Sequence, residues 1–203
     1  MTVLEALSAE VLDPSRLAAL DAYGILDIAP EKGFDDVVLL ARNICEAPVA
    51  LISLVAENRQ WFKARVDFRA CETDLNASVC AHVLAQLDLL VIPDLSADLR
   101  TKANPLVTGG PRIRFYAGAP LRTQDGKVLG SLCVIDVEPR PAGLTHRQAE
   151  SLRALAGQVM AQMELRRVLA DQRRMLDQGD ELIRAQAAMS VARGTSALCS
   201  TPW

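Results

Sequence analysis

The sequence predicts an α+β domain that ends in a long helix. Three observations carry this reading. Val49 to Val55 reads VALISLV, short, apolar and β-branched at both ends, as a central strand does. Ile113 to Asp136 alternates on both sides of Asp125-Gly126, a favoured hairpin turn. Thr145-x-x-Gln148 is a capping box ahead of a helical pattern that persists to between Gln178 and Ala188.

The elements follow in order. Residues 1–14 are a lead-in. Asp13-Pro14 reads as an N-cap followed by a first-turn proline, with a helix to about Tyr23 and Gly24 as its C-terminal cap. A second helix spans about Glu31 to Glu46, with Phe34, Val38, Ala41 and Cys45 as its buried stripe, and Pro48 stops it. After VALISLV and a turn at Glu57-Asn58, a strand from Gln60 to Val66 alternates. It sets Gln60, Phe62, Ala64 and Val66 on one face, and Trp61, Lys63 and Arg65 on the other. Residues 78–87 are expected to be helical, which groups Cys80, Val83, Leu84 and Leu87 on one stripe and turns His82 to solvent. Leu89 to Ile92 is a short strand ended by Pro93. Residues 94–112 carry two prolines and two adjacent glycines, either a loop covering a pocket or a surface excursion.

In the hairpin, Leu121 is expected opposite Gly130, Ala119 opposite Leu132 and Ala117 opposite Val134. One face is then aliphatic. The other carries Tyr116, Gly118, Ser131 and Cys133 and is small at its centre, so a packed element or a ligand must fill the space. Pro120 cannot donate to a ladder and marks an edge or a bulge. Residues 189–203 read as a flexible tail.

Composition excludes several classes. The chain has 203 residues, a net charge of −3, 4% aromatics and five cysteines. The mild acidity and the scarcity of stacking side chains argue against nucleic acid. The longest uncharged apolar run, Ala47 to Ala56, is half of the roughly 20 residues a membrane span needs. The first residues hold acids where an export signal needs bases. The cysteines are scattered with no C-x-x-C pair, so neither a disulfide framework nor a zinc site is indicated. A reduced, cytoplasmic protein without membrane partners is expected.

The order of elements and several local motifs resemble the GAF domain, a PAS-related sensory module. The motifs are Gly24-Ile25-Leu26-Asp27 with Pro30-Glu31 and Phe34-Asp35, Arg59-Gln60-Trp61-Phe62-Lys63, and Ser78-x-Cys80-Ala81-His82. They continue in Pro93-Asp94, Asn104-Pro105-Leu106-Val107, Ile113 to Leu121, and Leu129-Gly130-x-Leu132-Cys133-Val134-Ile135-Asp136. The chain resembles the bacterial group found ahead of histidine kinases and diguanylate cyclases, with the domain over residues 15–164. The resemblance implies a central antiparallel sheet of five to six strands with helices on both faces, a sensory role and dimerisation. It names no ligand or cofactor, because the fold hosts many.

Trp61, Cys80, Arg114, Tyr116, Gly118 and Cys133 are the candidate ligand-lining residues. Trp61, on a polar strand face, needs a partner. Arg114 suits an anionic ligand or a surface ion pair. Cys80 beside His82 suggests attachment of a bilin, but Ala81 intervenes and the two residues fall on opposite helix faces. A rival is a small cysteine-based redox enzyme resembling the free methionine sulfoxide reductases, but the surroundings of Cys71 do not match theirs. A third reading is a ligand-free dimerisation scaffold. Two histidines, one of them His146 in a helix first turn, do not suffice for a metal site.

The expected function is a non-enzymatic sensory module. It binds a small molecule or a protein partner and signals through its C-terminal helix to a histidine kinase or diguanylate cyclase. In residues 165–188 the pairs Val168/Leu169, Met175/Leu176 and Leu182/Ile183 recur every seven residues, the spacing of a coiled-coil seam, which predicts a homodimer. Gly179 is the weak point of that seam.

Overall fold

The computed structural model describes residues 9–197. Residues 1–8 of the lead-in and 198–203 of the tail lie outside the described residues. The chain divides into two units, residues 1–164 and residues 165–203.

In the first unit, helix α1 (Pro14–Ala22) starts where expected: Asp13 Oδ1 accepts from the Ser15 amide at 2.8 Å, and Gly24 takes φ +51°. The Ser15 hydroxyl, donating to the same oxygen at 2.7 Å, and then the Ser15 amide hold the Asp13 carboxyl down at about 2. Helix α2 (Lys32–Cys45) buries Phe34, Val38, Ala41 and Cys45, the stripe read from the sequence. The strands are β1 (Val49–Val55), β2 (Arg59–Val66), β3 (Glu72–Asp74), β4 (Leu90–Ile92), β5 (Phe115–Arg122) and β6 (Val128–Asp136). They form one antiparallel sheet in the order β3-β2-β1-β6-β5-β4. A single turn, α3 (Pro105–Thr108), interrupts the 94–112 connection, and α4 (His146–Ala197) closes the chain.

The hairpin pairs as its pattern requires: Leu121 with Gly130, Ala119 with Leu132, Ala117 with Val134. The connection is longer than a two-residue turn. Arg122 pairs with Val128, so the ladder slips beside Leu121, and Thr123 and Lys127 bond across the loop. Pro120 sits on a strand edge, because β4 pairs only with Tyr116, Ala117 and Gly118.

The sheet separates two cores. On one face Leu152, Ala156, Val159 and Met163 of α4 join α1 and α2 over Ala50, Ile52, Leu54, Ala117, Ala119, Leu132 and Val134. Each large side chain hidden there contributes roughly 1.5–3 kcal/mol. On the other face lie Leu51, Phe62, Tyr116, Cys133 and Ile135. They are covered by a 3₁₀ turn (Cys80–Val83), by Leu95 and Val107 of the 94–112 connection, and by Ile113.

A β-bulge changes the reading of β2. Ile52 pairs with Ala64 and Ser53 with Phe62, which leaves Lys63 as the extra residue. Beyond the bulge the faces exchange. Trp61 therefore shares the helix-covered core with Ala64, and Phe62 faces the opposite side. Lys63 is buried, bonded to the Ala29 carbonyl at 2.8 Å and to Glu31 at 2.9 Å, with its ammonium over the Phe34 ring.

The helix expected over 78–87 is one 3₁₀ turn. Ser78 Oγ accepts from the Ala81 amide at 3.0 Å, and Arg122 Nη2 donates to the carbonyls of Gln86 and Leu87 at 2.7 and 3.2 Å. The backbone bonds of this stretch reach only three residues back, from the amides of His82, Leu84 and Gln86 to the carbonyls of Val79, Ala81 and Val83, the 3₁₀ pattern that runs only in short pieces. Cys80 and Val83 are buried, but Leu87 is 90% exposed and His82 is half-buried, which corrects the stripe.

The α4 capping box is present: the Gln148 amide donates to Thr145 Oγ1 at 3.3 Å, and the Thr145 amide to Gln148 Oε1 at 3.0 Å. In the second unit α4 continues through Gly179 to Ala197, so the expected tail from 189 begins inside a helix. Val168, Leu169, Met175, Leu176 and Ile183 of its seam are exposed. The Leu182 side chain lies outside the described part.

Candidate functional site

The site is built on the centre of the sheet. β6 lies between β1 and β5, placing Ser131 between Ser53 and Pro120 and Cys133 between Leu51 and Gly118. Gly130 makes the approach of β1 close: a Cβ there would fall 2.0 Å from the Ser53 carbonyl oxygen.

Tyr116 lies along its own strand, over Gly118. A Cβ at Gly118 would meet the phenol oxygen at 2.3 Å and the ring at 2.7 Å. The small centre read from the sequence is therefore filled by the neighbouring tyrosine. The phenol shares a hydrogen bond of 3.1 Å with Ser131 Oγ, and Gln60 Nε2 donates to Ser53 Oγ at 2.7 Å. Cys80 Sγ lies 3.7 Å from Cys133 Sγ. All six side chains are buried.

Electrostatically the cluster favours one thiolate at a time. Burial pushes the Cys80 thiol up. Hydrogen bonds from Cys133, Ser131, Tyr116 and Ser53 outweigh it and bring Cys80 below the ordinary thiol range. Cys133 goes well up, first through its hydrogen bond to Cys80 and then through burial. The Tyr116 phenol is raised by burial and by the two thiols beside it.

The structure brings together four of the six predicted residues: Cys80, Tyr116, Gly118 and Cys133. It separates the other two. Trp61 is on the opposite face, for the reason of register given above. Among the described residues Arg114 makes neither a bond to the cluster nor an ion pair. Its Nη1 donates to the carbonyls of Val107 and Ile113 at 3.0 and 2.9 Å and clips the 94–112 connection down. That connection is also tied by the Leu95 amide to the Arg114 carbonyl, and by Thr101 Oγ1 to the Leu95 carbonyl at 2.7 Å. It packs on the Tyr116 face, so any ligand there has to part Leu95, Val107 and Ile113 from Tyr116.

Sequence reasoning passed over Ser53 and Gln60. The available signal was a lone serine inside VALISLV and a glutamine in line with Phe62, two polar groups aimed into apolar company. His82 is not the solvated group expected. Burial, then Arg100, push its pKa down, against Asp98, so it is neutral at pH 7. His146 is exposed, 3.2 Å from Glu150. Cys71 is exposed and outside the cluster, and Cys45 is buried, its thiol pushed up to about 11 mainly by that burial.

A separate cleft of about 240 Å³ runs between β5 and α4, lined by Asp88, Pro120, Arg122, Arg153, Gly157 and Met160. Among the described residues no group of three or more His, Cys, Asp or Glu is placed to hold a metal ion, and no helix is long and apolar enough to cross a membrane.

Comparison with known proteins agrees with this architecture. The family model described as GAF domain matches residues 29–163. A cyclic di-GMP phosphodiesterase of Pseudomonas aeruginosa is 40% identical over 149 residues, 73% of this chain and 25% of the relative. The chain thus spans about a quarter of that relative's length. Among solved structures, the GAF domain of a phosphoenolpyruvate-protein phosphotransferase from Coxiella burnetii superposes with a TM-score of 0.58. It has 13% identity and covers 81% of this chain and 98% of its own. A free methionine-R-sulfoxide reductase from Neisseria meningitidis gives 0.54 at 15% identity, covering 82% and 89%. These likenesses are of fold. The expectation that the chain is not an enzyme is overturned by the Pseudomonas relative, which is named as one, although the match covers only a GAF-sized part of it.

Proposed function

Because the chain belongs to the GAF domain family, a regulatory and sensory fold, we propose that it is the input module of a cyclic di-GMP signalling enzyme. The reading is that a small molecule enters beneath the 94–112 connection by displacing the Tyr116 ring from Gly118. Once the ring has moved, Ser53, Gln60, Ser131 and Cys133 offer polar atoms on an otherwise apolar sheet face. The observation that supports this most is the glycine. Its absent side chain gives the tyrosine a resting place, and the same space serves a ligand when the tyrosine leaves.

The output runs through α4. Val168, Leu169, Met175, Leu176 and Ile183 are large apolar groups in the open, at seven-residue spacing, and a second copy of the chain covers them. Charges between residues 164 and 184 balance, five Arg against five Asp and Glu, which suits a parallel pair.

Native mass spectrometry of the purified chain tests both halves of the proposal. The expected result is a dimer carrying a small molecule that is missing from a folded Gly118→Leu variant. A ligand-free chain, or a ligand that survives Gly118→Leu, refutes the site.

A further inference from the structure

Cys80 and Cys133 stand apart from the other cysteines: two buried sulfurs 3.7 Å apart, fifty-three positions apart in sequence, on elements of different kinds. Cys133 is fixed in the middle of the sheet, with ladders on both sides. Cys80 rides on one 3₁₀ turn, held by the bonds from the His82 amide to the Val79 carbonyl at 3.1 Å and from the Leu84 amide to the Ala81 carbonyl at 3.2 Å. We propose that the pair is a modification site, at which a small hydroperoxide converts the two thiols into a disulfide.

The geometry assigns the roles. Cys80 sits on the covering turn and Cys133 in the sheet beneath it, so an incoming oxidant meets Cys80 first, and the Cys80 thiol lies below the ordinary range while that of Cys133 is pushed up. Cys80 Sγ attacks the terminal peroxide oxygen. An S–O bond forms, the O–O bond breaks, and an alcohol leaves carrying the Cys80 proton. Cys80 is then a sulfenic acid, oxidised by two electrons as the peroxide is reduced by two. Cys133 Sγ attacks that sulfur next. An S–S bond forms, the S–O bond breaks, and the hydroxide leaves with the Cys133 proton as water. Two thiols and one hydroperoxide thus give one disulfide, one alcohol and one water. The sulfurs must close from 3.7 Å to about 2.05 Å. The Cys80 turn supplies that movement, because β6 cannot. Entry needs local opening of the 75–89 connection, which limits the oxidant to a small one. The inference does not rest on the ligand reading, although it concerns the same sheet face.

The test uses the full chain with Cys71→Ser and Cys199→Ser, treated with hydrogen peroxide, alkylated and digested without reductant. Mass spectrometry is expected to find the Cys80 and Cys133 peptides joined, with two hydrogens lost, and separated again by dithiothreitol. Cys80→Ser is expected to abolish the link and leave Cys133 reduced. Cys133→Ser is expected to abolish it and leave a dimedone-reactive Cys80. The linked chain is expected to melt at a higher temperature than the reduced one. If the serine variants do not fold, the otherwise native sulfurs decide alone: Cys80 must be oxidised before the equally buried Cys45. Oxidation of both at one rate, a link formed only in urea, or no link in the folded chain overturns the proposal.

Discussion

Gly118 and Tyr116 act as one unit. A methyl group at position 118 would fall 2.3 Å from the phenol oxygen, so the ring must swing away and give up its bond to Ser131. Gly118→Ala is therefore expected to cost about 1–3 kcal/mol in chemical denaturation. The same change made in a Tyr116→Ala background is expected to cost much less, because the obstructed group is gone. Additive losses in that double-mutant cycle would show that the ring is not what Gly118 accommodates. Lys63 makes a second residue-scale case. Its side chain is fully buried, so Lys63→Ala is expected to cost about 2–5 kcal/mol, mostly by leaving a cavity and the Ala29 carbonyl without its donor, since the Glu31 carboxylate left behind is partly exposed. Thermal denaturation of the folded variant checks this. A loss under about 1 kcal/mol would mean that the ammonium is solvated.

Helix α4 carries three glycines, and at two of them, Gly157 and Gly179, a Cβ would meet nothing within 4 Å. Glycine in a helix interior costs about 0.8–1.0 kcal/mol relative to alanine. Gly157→Ala and Gly179→Ala are thus each expected to stabilise the protein by up to that amount, read as a rise in urea midpoint. A fall at Gly157 would indicate that the cleft beside it needs the space. The same helix is joined to the 75–89 connection by Arg153, whose guanidinium meets Asp88 at 2.7 and 2.9 Å. Those bonds bring the Asp88 carboxyl down to about 2. A carboxyl depressed in the folded state stabilises above its unfolded pKa, near 3.9, and that contribution disappears as pH falls toward about 2. Both groups are largely exposed, so the contribution is only about 0.2–1 kcal/mol. Asp88→Asn should lower stability by that much at pH 7 and by only a small part of it at pH 2, where the folded carboxyl is about half protonated. A loss as large at pH 2 as at pH 7 would assign the effect to something other than the charge.

For the whole molecule the expectation is association through α4. Leu169→Asp and Leu176→Asp each place a charge in the seam and are expected to shift the chain toward monomer in light scattering at micromolar concentration. Removal of everything after Arg167 should do the same. A dimer that survives truncation would place the interface elsewhere.

Much of this protein is written in local chemistry. The Asp13 cap, the stripe of α2, the full length of β1, the hairpin pairing and the Thr145 capping box each depend on residues a few positions apart. Local rules therefore suffice to read them. The Tyr116, Gly118 and Cys133 row was legible for the same reason, since strand alternation alone puts the three on one face. What the tertiary structure decided depends on contacts far apart in sequence. The bulge at Lys63 is set by Glu31, Ala29 and Phe34, and it carried Trp61 to the opposite core. The carbonyls of Gln86 and Leu87 are taken by Arg122, which ties the chain to β5 just past the single 3₁₀ turn that replaces the expected helix. Arg114 was drawn to the Val107 and Ile113 carbonyls, away from any ligand. Tyr116, not a separate element, filled the space above Gly118. In each case a side chain satisfied a backbone group or a void that the sequence pattern alone leaves without an owner, and only the folded chain brings the two within bonding distance.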